Sequence, residues 1–226
     1  MYYILFGILY LISLLPFPLL YLLSDFFYVV IFYLLGYRKN VVYHNLAIAF
    51  PDKTDAERKK IAQRFYRNFC DNWLESIKLL SISEATLRKR VTGDLSVYDE
   101  MHRAGKSCYV LLGHFFNWEW GNSYFSRRGP FQLLGVYSPL SNKVVDRLFI
   151  RLRSRFGAVL LPFNDMRKAM LPYRNQQYCL GLLSDQSPPI AERAFWVYFF
   201  GEPTAFLAGT EKGARLGKMP VMYLVM

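Results

Sequence analysis

Acidic side chains are scarce in this sequence. Seventeen Asp and Glu stand against 28 Lys and Arg, which leaves a net charge of +11. Such a chain attracts polyanions: nucleic acid, anionic headgroups or an acidic carrier protein. Zinc-finger spacing, RNP-like aromatic motifs and basic-zipper heptads are all missing, so lipid displaces nucleic acid as the expected partner. Cysteine is scarcer still. Cys70, Cys108 and Cys179 are odd in number, widely spaced and never in a CxxC pair. That excludes a disulfide framework and a zinc site, and reads as three reduced, buried thiols. A Gly-x-Ser-x-Gly elbow, an HExxH pattern and a P-loop are absent too. A covalent acyl-enzyme, zinc hydrolysis and nucleotide cleavage therefore have no support in the sequence.

Charge is missing altogether from the side chains of Met1 to Leu23, and Asp25 is the only charged one before Arg38. A spanning helix needs about 20 apolar residues, so this stretch is long enough. It lacks the basic start and the small-residue cleavage site of a secretory signal. Pro16 and Pro18 interrupt it, which leaves two arrangements: one kinked span, or a short helical pair dipping into one leaflet. Arg38 and Lys39 follow, then Lys53, Arg58, Lys59 and Lys60, and the positive-inside bias puts the remainder in the cytoplasm. With 53% hydrophobic and 18% aromatic residues beside 20% charged ones, the composition fits a globular domain attached to a bilayer. Residues 1–37 read as the anchor and 38–226 as one domain. The last apolar run, from Pro220, carries no polar tail, so a continuation beyond residue 226 stays open.

Thr54 with Glu57 three residues on forms a capping-box signature. Ile61, Phe65, Phe69, Trp73, Ile77 and Leu80 then recur at helical spacing, predicting a long basic amphipathic helix. Beyond Gly93, strands are predicted at 108–112, 131–137, 158–163, 178–184, 195–200 and 221–225. Helices are predicted at 97–104, 117–126, 142–156, 166–174 and 205–216. This alternation predicts an α/β fold with a mixed, largely parallel sheet flanked by helices. Repeats, low-complexity tracts and flexible linkers are absent.

The most informative segment is Gly113-His114-Phe115-Phe116-Asn117-Trp118-Glu119, directly after the predicted strand ending at Leu112. A neutral imidazole can take a proton from an alcohol, and a carboxylate on its other nitrogen fixes the tautomer and stabilises the imidazolium. Ligands gather outside the carboxyl ends of strands in open α/β sheets, where His114 falls. Five residues along a regular helix turn the chain by about 140° net, so His114 must lie in the loop for Glu119 to face it. Phe115 and Phe116 are then expected to line an apolar pocket. His44 and His102 read as ordinary surface or interfacial residues.

The segment resembles the HX4(D/E) motif of the lysophospholipid acyltransferase superfamily. With Glu at the last position, it is similar in particular to the late acyltransferases of lipid A biosynthesis. Three further stretches agree: Asn45 to Pro51; Tyr137 to Lys143 running into Arg151-Leu152-Arg153-Ser154-Arg155; and Ser184-Asp185-Gln186-Ser187 followed by Phe199-Phe200-Gly201. The resemblance implies transfer of a fatty acyl chain from acyl carrier protein, or acyl-CoA, to a hydroxyl of a lipid A precursor at the bacterial inner membrane. It implies His114 as general base oriented by Glu119. Arg153 is implied for the oxyanion or a headgroup phosphate, with Arg151 beside it, and Asn117 and Asp185 as substrate-side residues. Neither metal nor dissociable cofactor is implied. A Phe-Pro-Glu-Gly block typical of glycerol-phosphate acyltransferases is not present, Phe200-Gly201-Glu202-Pro203 being a loose echo. The alternatives are a lysophospholipid, aminolipid or glycolipid acceptor, or a membrane-tethered basic module without catalysis that binds nucleic acid or lipid.

Overall fold

The computed structural model describes residues 1–115, 117–188 and 190–224. The expectation for Phe116, and that for the end of the last strand at Val225, lie outside the described residues. Two helices open the chain, α1 (Tyr2–Leu14) and α2 (Phe17–Val29), and α2 runs on through a π-helical turn at Val30–Leu35. The break falls at Leu15-Pro16, where proline withholds the amide that a continuous helix needs, so the apolar stretch forms two helices. Phe17–Leu35, at 19 residues, is long and apolar enough to cross a bilayer. Gly36 closes it in the left-handed conformation, at φ 59°.

Helices α3 (Lys39–Ala49) and α4 (Asp55–Lys78) follow. The capping box forms as the sequence predicts: the Glu57 amide donates to Thr54 Oγ1 at 3.3 Å, and the Thr54 amide donates to Glu57 Oε2 at 2.8 Å. Ala62, Tyr66, Cys70 and Leu74 line the buried stripe of α4, against which α1 and α2 pack. Lys78 Nζ donates to the Ser13 and Leu15 carbonyls at 2.7 and 2.8 Å, satisfying acceptors that the end of α1 leaves open.

Two short helices, α5 (Glu84–Arg90) and α6 (Ser96–Arg103), lead into the sheet. Thereafter come β1 (Cys108–Leu112), α7 (Trp118–Arg128), β2 (Gln132–Tyr137), α8 (Lys143–Ser154), β3 (Val159–Pro162), α9 (Met166–Ala169) and β4 (Tyr178–Leu183). An antiparallel hairpin of β5 (Phe195–Phe199) and β6 (Glu202–Phe206) precedes α10 (Gly209–Gly217) and β7 (Val221–Tyr223). The main sheet has the order β3-β2-β4-β1-β7 and is parallel throughout. The predicted strand at 195–200 is real, but it belongs to the separate hairpin. The segment 202–206, which the sequence reading assigned partly to a helix, pairs with it instead.

Leu134, Leu161 and Leu180 are buried on one face of the sheet, and Cys108, Val110, Leu133 and Cys179 on the other. Each fully buried leucine contributes about 1.5–3 kcal/mol over exposure. All three cysteines are free and buried, and the hydrogen bond with Cys108, together with burial, pushes the Cys179 thiol up. A further cluster joins Tyr2 of α1 to Leu79, Leu80, Trp120, Leu148 and Leu152, so the first helix shares a core with α7 and α8.

Candidate active site

Strands β1 and β4 lie side by side in parallel, with Leu112 opposite Leu183. Two residues further, the same register brings His114 beside Asp185, though 71 positions separate them in sequence. The His114 amide donates to Asp185 Oδ2 at 2.7 Å, and Nδ1 of the ring lies 2.7 Å from Oδ1. With Nδ1–H donating to the carboxylate, Nε2 is the nitrogen left with a lone pair. Gly113 makes this approach possible: a Cβ there would lie 2.4 Å from the Phe115 ring and 3.1 Å from Asp185 Oδ2.

Glu119 takes a different partner from the expected one. It occupies the first turn of α7, which faces α8, and Arg153 grips its carboxylate with Nε at 3.0 and 3.1 Å and Nη2 at 2.8 Å. The carboxylate that His114 meets is Asp185; Glu119 meets Arg153. Glu119 is 4% exposed. Burial pushes its carboxyl above the usual range, while Arg153, and to a lesser degree the charge of His114, favour ionisation. The groups still form one assembly. The Trp118 ring stands edge-on to His114 with centroids 5.5 Å apart, and the Arg153 guanidinium lies 4.7 Å over Trp118 and 5.0 Å over Phe149.

Asn117 and Arg151 are placed away from the substrate role that the resemblance implies. Asn117 is the N-cap of α7, its side chain accepting from the Trp120 amide at 3.4 Å and donating to Glu75 Oε2. Arg151 turns to α1, with its guanidinium 4.2 Å over the Phe6 ring. Of the arginines four residues either side of it, Arg147 also turns to α1, 4.2 Å over Tyr2, whereas Arg155 donates to the Leu79 carbonyl. Glu75 went unnoticed in the sequence. From α4 it accepts from both Asn117 and Tyr21, and its backbone carbonyl accepts from Trp120 Nε1 at 2.8 Å. No local motif marks it.

His114, Trp118 and Arg153 help to line a cavity of about 830 Å³ that runs along the strands to their carboxyl ends. The other walls are chiefly apolar, among them Leu133, Leu160, Leu180 and Leu182. A volume of this size lies within the range of pockets that enclose drug-sized ligands.

An imidazole held by a carboxylate, an adjoining half-buried cation and a chiefly apolar cavity therefore meet at one place in this α/β fold. The chain matches, over residues 1–226, the family described as Bacterial lipid A biosynthesis acyltransferase, and it belongs to that family. It is 25% identical over 213 residues to the lipid A biosynthesis lauroyltransferase of Escherichia coli, covering 93% of this chain and 68% of that one. It is 24% identical over 179 residues to a lipid A biosynthesis acyltransferase of Haemophilus influenzae, covering 79% of this chain and 56% of that one. The chain thus spans between about half and two thirds of these curated relatives.

Proposed function

We propose that the protein transfers a fatty acyl chain from acyl carrier protein, or acyl-CoA, to a hydroxyl of a lipid A precursor at the cytoplasmic side of the inner membrane. The observation that carries this reading is His114, held by Asp185, on the wall of the 830 Å³ apolar cavity. His114 Nε2 removes the proton of the acceptor hydroxyl as its oxygen attacks the thioester carbonyl. The C–S bond breaks on collapse of the tetrahedral intermediate, and the imidazolium returns the proton to the leaving thiolate. Asp185 keeps Nδ1 protonated. Glu119 acts through charge: it favours the imidazolium and holds Arg153 over Trp118, next to the reacting carbon. Arg153 is the cation for the oxyanion or a headgroup phosphate, and one well-placed donor there supplies about 3 kcal/mol.

Phe17–Leu35 supports membrane attachment, and the net charge of +11 suits both anionic headgroups and an acidic carrier. The test is acyl transfer from acyl carrier protein to a lipid A precursor, read by mass spectrometry with the detergent-purified full chain. His114→Ala should lose about 10²–10⁴-fold in rate, and Asp185→Asn and Glu119→Gln should each lose activity as well. Full activity in His114→Ala overturns the mechanism. The lipids of a deletion strain test the acceptor: unchanged lipid A with a missing acylated aminolipid, glycolipid or phospholipid overturns that assignment.

A further inference from the structure

The β5–β6 hairpin does not resemble a strand pair made for water or for a protein partner. Between Phe195 and Phe206 it carries six aromatic side chains and one charge, Glu202. The pairing register sorts these onto two faces. Phe195, Val197 and Phe199 share one face with Phe206, Thr204 and Glu202; Trp196 and Tyr198 share the other with Ala205 and Pro203. An antiparallel ribbon against a protein core buries one face and keeps the other polar. Here both faces are apolar and both are open: Phe195 is 62% exposed and Phe199 52%, while Trp196 is 54% and Tyr198 81% exposed on the reverse side. A single protein surface would cover one face and strand the other. A fluid apolar medium surrounds both.

The turn supplies a second, independent observation. Phe200 and Gly201 form a two-residue loop with φ of 54° and 80°. Asparagine, aspartate or glycine normally fills the first of these positions, because a bulky side chain is strained there. The phenylalanine kept at this outermost point meets the Phe199 ring edge-on, centroids 4.6 Å apart, yet stays 60% exposed. Meanwhile Trp196 Nε1 donates internally to the Ala191 carbonyl at 3.2 Å, so the indole can leave water without an orphaned donor.

We propose that this hairpin is a wedge that enters the headgroup zone of the bilayer and sets the mouth of the cavity against the lipid surface. Tryptophan and tyrosine favour that depth, and Glu202 beside the turn confines insertion to it. The position fits the purpose, for the cavity wall includes the residues at both feet of the hairpin: Gln186, Ser187 and Ile190 before it, Leu207 and Ala208 after it. A lipid acceptor could then pass from bilayer to cavity with its chains never crossing bulk water. This rests on the lipid-substrate reading above, and the test separates the two.

The native cysteines are buried, so Tyr198→Cys can carry a single NBD label on the full chain, reconstituted into vesicles of dioleoyl phosphatidylcholine and phosphatidylglycerol. The label should shift to the blue relative to detergent-free water and be quenched by phosphatidylcholine brominated near the headgroup end of its chains. In parallel, Tyr198→Asp should lose about tenfold in kcat/KM on acceptor embedded in vesicles, equivalent to about 1.4 kcal/mol, while keeping its rate on a short-chain acceptor dispersed in detergent. Quenching by lipid bromine in a protein that transfers no acyl group supports the wedge and refutes the catalytic reading. A label open to aqueous iodide and untouched by lipid bromine overturns the wedge, whether or not the enzyme is active. So does a blue shift already complete without lipid, since a protein surface then covers the tip.

Discussion

Replacing Arg153 with methionine should expose how heavily the site depends on one buried charge pair. The Glu119 side chain is 5% exposed and that of Arg153 19%, and three nitrogen–oxygen contacts of 2.8 to 3.1 Å join them. Methionine keeps much of the packing against Trp118 and Phe149 but leaves the carboxylate without its cation. Removing one partner of a buried pair costs about 3–5 kcal/mol. Arg153 retains some water, so the loss should fall near the lower end, about 3 kcal/mol at neutral pH. The loss should also depend on pH. Burial already holds the Glu119 carboxyl above its ordinary value of 4.5, and without Arg153 it must rise further. A carboxyl raised in the folded state favours folding when protonated. The variant's deficit should therefore be smallest below pH 4.5 and grow as pH rises through the elevated folded value. Adding Glu119→Gln should recover most of the stability and flatten the pH response. Urea unfolding in mild detergent, followed through tryptophan fluorescence, measures all of this. A deficit below about 1 kcal/mol that ignores pH would show that the pair behaves like a surface salt bridge, and the account of the site would fail.

Two other substitutions separate structural from substrate-side roles. Asn117→Ala removes the cap of α7 and a partner of Glu75, so it should lower stability by about 1–2 kcal/mol in thermal melts while leaving KM unchanged. A raised KM at unchanged stability would instead put Asn117 on the substrate. Gly113→Ala forces a methyl group against the Phe115 ring and Asp185 Oδ2. Acyl transfer should drop by about 10²-fold while far-ultraviolet circular dichroism stays the same, because a small displacement of the base is enough. Unaltered turnover would mean that the loop holds His114 by other means.

The sequence made the site's chemistry easier to read than its wiring. His114 at a strand end, the capping box at Thr54 and the proline break between α1 and α2 all follow from rules that act over a few residues. The His114–Asp185 contact does not, because β1 and β4 become neighbours only through the order in which the sheet assembles. Their positions after two predicted strands were nevertheless a usable clue: parallel neighbours in register bring residues just past their ends together. Glu119 was misleading for a related reason. Spacing along the chain suggested His114, whereas the packing of α7 on α8 offered Arg153. Arg151 was expected on the substrate side because nothing in the sequence signals that α1 would fold over this part of α8. The second strand of the hairpin escaped notice because Pro203, Thr204 and Ala205 lack the alternation that marks a half-buried strand.

The shared core of α1, α7 and α8 has an engineering consequence. Tyr2 packs with Trp120 and Leu152, and Lys78 closes the far end of the same helix, so this N-terminal element is a structural wall and not a leash. Trimming it to obtain a water-friendly version would open a hole behind the helix that carries Arg153. What came off the column would be a loosened machine, and its kinetics would describe the damage.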